Sequence, residues 1–225
     1  MIDAVNGFLI PMSLVTLLSL LSAWLTTRLL REIPARYFDL PGISIYVNWV
    51  WIGYWILGAG IVLLGYPPSA LALLFLFFNL VIPLGLIDLK TGYLPDVLNY
   101  PLLVFGLLFQ WGMPAGNLLS AIYALLFSYI GLVAITTLVE KIRRRPQMGR
   151  GDFKLIAACA TWLGIFYLPY FLGLAASLGL LHFLWRAWRE KKERRGKQKF
   201  VRSIPFGPAI IGSASFWLLL SWHPN

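Results

Sequence analysis

Apolar runs long enough, or nearly so, to cross roughly 30 Å of hydrocarbon recur along almost the whole chain, at residues 7–30, 47–65, 69–87, 97–113, 117–139, 153–165, 167–187 and 204–222. A soluble domain has no place for so much continuous apolar helix. Composition agrees, since 59% of the 225 residues are hydrophobic and only 12% are charged. The expected fold class is all-α: a single membrane domain over 1–225, polytopic, with about eight transmembrane helices. The sixth run is short, so it is expected to tilt, to merge with the seventh or to be covered by other helices. The first run lacks a basic segment before it and a small-residue cleavage site after it, so no removable signal peptide is expected.

Crossing these spans in alternation places all 19 Lys and Arg on one side. They are Arg28, Arg31 and Arg36; Lys90; Lys141, Arg143, Arg144, Arg145, Arg150 and Lys154; and the group from Arg186 to Arg202. The positive-inside rule makes that side the cytoplasm. Both termini are then expected in the periplasm of a Gram-negative host, with the protein in the bacterial inner membrane. Trp49, Trp51, Trp111, Trp185, Trp188 and Trp222, near span ends, fit interfacial belts. The net charge of +10 is thereby a property of loops, and no nucleic-acid partner is expected. The basic segment 186–202 reads first as a solvated helix held against anionic lipid, with substrate binding or nucleic-acid contact as the other readings. Cys159 is the lone cysteine, so neither a disulfide nor a thiolate zinc cage is expected, and no metal site is assigned. His182 and His223 are isolated. Ser213 and Ser215 have no histidine nearby in sequence, which leaves a serine mechanism unsupported.

Nine acids occur in the chain, and most sit at the terminus, in loops or beside basic residues. Asp88 ends the third run, and Asp152 opens the sixth within Gly149-Arg150-Gly151-Asp152-Phe153-Lys154. An ionisable acid costs roughly 2.5 to 3.5 kcal/mol at the centre of a membrane helix and less near its edge. Both lie at the same expected edge, where their carboxyls can meet. Two carboxyls sharing a site do not both ionise cheaply, so one keeps its proton while the other serves as a base. The residues alone leave a second reading open, in which the aspartates are helix-end groups paired with Lys90 and Lys154, Asp152 capping backbone N–H groups.

At these positions the chain resembles the type IV prepilin peptidase family, membrane aspartyl proteases marked by an aspartate followed by an I/L-P-D tripeptide and a second aspartate within G-x-G-D-x-K. Asp88 precedes Leu94-Pro95-Asp96, with Asn99-Tyr100-Pro101-Leu102 beyond it; the second motif ends in Lys154; and Ile204-Pro205-Phe206-Gly207-Pro208 opens the last run. The resemblance covers 84–220. It implies Asp88 and Asp152 as the catalytic pair and Asp96 as an auxiliary acid. Pro95, Gly149, Gly151, Lys154, Phe206, Gly207 and Pro208 are expected as site support. Gly149 and Gly151 are expected to approach the substrate chain and to adopt positive φ. Lys154 has two readings, holding an aspartate ionised or reaching lipid phosphate. Pro95, Pro205 and Pro208 read as helix-start residues. The implied substrates are prepilins and the pseudopilins of type II secretion, cut at the cytoplasmic face between a basic leader and an apolar helix.

Many members also N-methylate the new terminus with S-adenosylmethionine, and carry a domain with two C-x-x-C pairs between their first two helices. Here that place is a shortened cytoplasmic loop, 31–48, without cysteine. The expectation is a short-form, processing-only or methylation-poor enzyme, with S-adenosylmethionine as a cofactor only if methylation is retained. Two other classes remain beside it, an ion-coupled transporter and a non-catalytic pilus or secretion assembly subunit.

Overall fold

The computed structural model describes residues 2–113, 116–144, 149–193 and 205–222. Arg145, Ile204, His223 and the basic run beyond residue 193 lie outside the described residues. These residues form seven helices and, among them, no strand: α1 (Ile2–Tyr37), α2 (Val47–Leu63), α3 (Pro68–Thr91), α4 (Asp96–Gly112), α5 (Leu118–Arg143), α6 (Arg150–Glu193) and α7 (Gly207–Ser221). The protein is an all-α, multi-pass membrane protein, with the sixth and seventh expected spans joined in α6. Four stretches, Ile10–Tyr37, Ala70–Thr91, Leu118–Arg143 and Arg150–Arg189, have the length and apolarity to cross a bilayer, and α2 and α7 are shorter apolar helices. Trp49, Trp111, Trp185 and Trp188 are exposed, as interfacial anchors are.

The described residues pack as two units, one of 2–87 with Trp222 and one within 88–221; the boundary falls inside α3. In the first unit, α1 buries a helical stripe of Val15, Ser19, Ser22, Ala23, Thr26, Leu30 and Ile33. Its polar members bond across helices, as membrane interiors require: Thr26 Oγ1 lies 2.8 Å from Tyr54 Oη, and Asn79 Nδ2 donates to Ser22 Oγ at 2.9 Å. A Cβ on Gly58 would stand 2.8 Å from both Phe75 and Val15 side chains, so that glycine lets three helices meet.

The segment 31–48 is not a loop throughout, because α1 runs on to Tyr37 and α2 begins at Val47. Pro34 has no N–H to give the Leu30 carbonyl. That carbonyl instead accepts from Ile43 N at 2.9 Å, so the connector folds back on the helix that the proline leaves short of a bond.

The second unit is built around α6. Residues 155–163 are all buried, although the arm from 150 to 163 is only about 21 Å long at 1.5 Å per residue. It is enclosed by its neighbours. Gly164 breaks the helix at φ 75°, ψ 174°, a conformation open essentially to glycine alone. The second arm then returns: Gly179 meets Phe206 just before α7, and Ser213 Oγ donates to the Phe171 carbonyl at 2.7 Å.

Breaking a membrane helix frees backbone groups that must find partners. Gln110 Nε2 donates to the Trp162 carbonyl at 2.8 Å, and Ser120 Oγ accepts from Ile165 N at 2.9 Å. Asn117, which caps α5 through the Ser120 N–H, also gives its own backbone N–H to Gln110 Oε1 at 3.0 Å. Trp162 Nε1 donates to the Leu102 carbonyl, and Gly106 leaves room for Thr161 and Trp162. Together these hold α4 against the first arm of α6.

Candidate active site

Asp88 stands one turn before the end of α3 and is 4% exposed. The helix does not stop at Asp88, as the apolar pattern suggested, because Gly92 N–H bonds to the Asp88 carbonyl at 2.8 Å and Gly92 then leaves the helix at φ 72°. The side chain has a partner from far along the sequence: Gly207 N–H donates to Asp88 Oδ2 at 2.8 Å. That N–H belongs to the first residue of α7, where amides lack helical acceptors, so the positive end of a helix dipole faces the carboxylate.

Asp152 lies in the first turn of α6 rather than ahead of it, since the helix begins at Arg150. Its own N–H donates to the Gly149 carbonyl at 3.1 Å, and its carboxyl accepts from the Gly149 backbone. The carboxyl thus supplies the return half of a capping box, with a glycine at the N-cap and so no side chain to complete it. Asp88 is close enough to act electrostatically on Asp152. Two acids that are far apart in sequence are thus brought together within the second unit.

The lysines do not pair with these acids. Lys154 Nζ donates to Asp96 Oδ2 at 2.6 Å and lies over the Tyr100 ring, 5.6 Å from its centroid. Lys90 is exposed at the end of α3. Of the two sequence readings of Lys154, an aspartate partner is the one observed, but that aspartate is Asp96 rather than Asp88 or Asp152.

The glycines serve differently from expectation. Neither Gly149 nor Gly151 has positive φ; in this unit Gly92 and Gly164 do. At the start of a helix the backbone is already close to helical, and what glycine supplies there is space. A Cβ on Gly149 would lie 3.2 Å from Asp152 Oδ2, and one on Gly151 3.0 Å from Leu94 Cβ. Gly207 is tighter, with a virtual Cβ 2.5 Å from Asp88 Oδ2 and 3.0 Å from its Cγ. Pro95 is the N-cap of α4 and is buried. Pro208 sits in the first turn of α7, and the Phe206 carbonyl accepts from the N–H groups of Ala209 and Ile210, so these residues start helices as expected. The ring of Phe206 packs against Gly179.

Two contributors were not singled out from sequence as site residues. Leu94 fills the space beside Gly151, and Tyr100 underlies Lys154. A missing side chain gives no positive signal, so the Leu94 contact was not readable; Tyr100, one turn after Asp96 on a helix, was.

The family described as the type IV leader peptidase family matches residues 73–184, a stretch that includes Asp88, Asp96 and Asp152. A prepilin leader peptidase/N-methyltransferase of Escherichia coli (strain K12) is 38% identical over 158 residues, covering 70% of this chain and 67% of that protein. The chain belongs to the type IV leader peptidase family. Other relatives of the same description are found in Burkholderia pseudomallei (strain 1026b), 35% identical over 73% of this chain and 54% of the relative, and in Neisseria gonorrhoeae, 32% identical over 64% and 51%. The chain thus spans between about half and two thirds of the length of these leader peptidases. No solved structure matches it. As a family member it is a membrane protein of a protease family, and its two close aspartates stand within the matched region.

Proposed function

We propose that this protein is an aspartyl endopeptidase of the inner membrane that removes the basic leader from prepilins or type II secretion pseudopilins, with Asp88 and Asp152 as its catalytic pair. The observation that carries the proposal is the approach of these two acids, from separate helices, with Lys154 committed to Asp96. The ionised carboxylate takes a proton from water as its oxygen attacks the scissile carbonyl carbon. The protonated carboxyl donates to the carbonyl oxygen, and the tetrahedral intermediate collapses with C–N cleavage as the departing amine gains a proton. Gly207 N–H and the Gly149 backbone orient the two carboxyls. No step requires a metal or a covalent intermediate.

The asymmetry of basic residues supports a site at the cytoplasmic face, where a leader meets its apolar helix. Both termini are then periplasmic. The enzyme's cytoplasmic loops are themselves basic, so bulk charge repels the leader; recognition rests on the apolar helix, the residues flanking the scissile bond or anionic lipid. The lone cysteine and the short 38–46 connector support processing with little or no N-methylation.

The test is the intact mass of a prepilin co-expressed with the protein. Wild type removes the leader, Asp88→Asn and Asp152→Asn leave it in place at wild-type abundance, and an added methyl on the mature product reports S-adenosylmethionine use. Full cleavage by either variant removes the pair from the mechanism. An abundant, folded wild type that leaves several prepilins and pseudopilins whole favours an assembly subunit or a transporter.

A further inference from the structure

Lys154 and Asp96 come from the two sequence motifs that carry the acids, and their 2.6 Å contact is one of two ties between the same segments. The other is Leu94 against Gly151, where even a methyl group would crowd the leucine at 3.0 Å. Leu94 and Asp96 flank Pro95, the buried N-cap of α4. Gly151 and Lys154 flank Asp152 in the first turn of α6. Upstream, the Gly92 turn connects this segment directly to Asp88 through the bond from Gly92 N–H to the Asp88 carbonyl.

We infer that 94–96 and 151–154 form a clasp that sets the distance and orientation of Asp152 relative to Asp88, with Asp96 and Lys154 as positioning residues. The inference rests on the proposed proteolysis. Successive helical residues turn by about 100°, so Lys154 emerges about 200° round α6 from Asp152. The ion pair therefore grips the side of the helix away from the carboxyl pair. Leu94 grips the glycine next to Asp152 itself. Two grips on one helical turn fix its rotation as well as its distance, and rotation is what aims the Asp152 carboxyl. Small displacements matter here, because a misplacement of about 1 Å costs on the order of 100-fold in rate.

Side chains of Lys154 and Asp96 are 31% and 45% exposed, so solvent and salt screen the pair. Its loss is therefore expected to loosen the aim of Asp152 without unfolding the unit. Asp96→Asn and Lys154→Met each lower kcat for prepilin cleavage about five-fold, near the ceiling for a half-exposed ion pair, while KM and the melting temperature in detergent stay at wild-type values. The exchanged pair, D96K with K154D, restores kcat to within about two-fold, because the grip returns with its charges reversed. Raising ionic strength lowers kcat of wild type toward that of Asp96→Asn and leaves Asp96→Asn unchanged; this arm needs no exchanged protein to fold.

Single variants with wild-type kcat, or a folded exchanged pair no faster than the singles together with a salt-insensitive wild type, overturn the clasp while leaving the proposed function intact. A wild type that never cleaves overturns the proposed function, and the clasp with it.

Discussion

Gly207 shows how much a single missing methyl can matter. Its N–H holds Asp88 at 2.8 Å, and its virtual Cβ stands 2.5 Å from the same oxygen. Gly207→Ala cannot keep both the helix start and the carboxyl where they are, so the Asp88 carboxyl turns away. Cleavage is expected to fall about 100-fold with wild-type protein levels, measured by the fraction of co-expressed prepilin retaining its leader. At this scale the sequence was legible where chemistry is rare. Asp88 and Asp152 stood out because acids are costly in apolar helices. The partner of Asp88 is a backbone amide, which has no side-chain signature; only its place at the start of an apolar run, where helical amides lack acceptors, pointed to it. The choice of partner for Lys154 depended on the register of two helices, which no local pattern encodes.

The element that decides this fold is α6. Sequence periodicity marked two spans with a junction at 165–167, and the break is at Gly164. The apolar runs were legible because their lengths are set by the bilayer. The missing loop was not, because its place is taken by side chains on other elements, Gln110 and Ser120. Likewise the first run was ended at residue 30, whereas the helix continues to Tyr37 and the bond from Ile43 to the Leu30 carbonyl compensates Pro34. Gly164→Ala forces an L-residue into glycine-only backbone and sets a methyl 2.7 Å from Ser120 Oγ. Turning Ser120 aside strips Ile165 N–H of its acceptor inside the membrane. The substitution is expected to cost at least about 2 kcal/mol, read as a lower melting temperature in detergent. Gly173→Ala, in the same helix with open space around its Cβ, serves as the comparison and costs little.

For the molecule as a whole, the prediction concerns orientation. The proposed topology, eight crossings with the Lys and Arg residues on the cytoplasmic side, expects alkaline phosphatase fused after residue 222 to be exported and active, and fusion after Lys141 to leave it inactive inside. Reversed activities would move the two aspartates to the outer face and remove the proposed site of leader cleavage. At this scale the number of apolar helices was legible, and the side of each loop is read from charge alone, because a bilayer sorts charge by side regardless of how helices pack; the fusions test that reading. What the sequence left open is the central position of the short 150–163 arm.

That arm has a consequence for biosynthesis. About 21 Å of helix is too short to cross the hydrocarbon alone, so it gains little by leaving the translocation channel sideways into lipid ahead of its neighbours. It must be retained at the channel or in contact with α4 and α5 until they enclose it, and α7 arrives last to meet Asp88. On the proposed mechanism Asp88 therefore gains its Gly207 N–H partner only once α7 is in place, so the pair of acids is assembled after the earlier spans have been inserted.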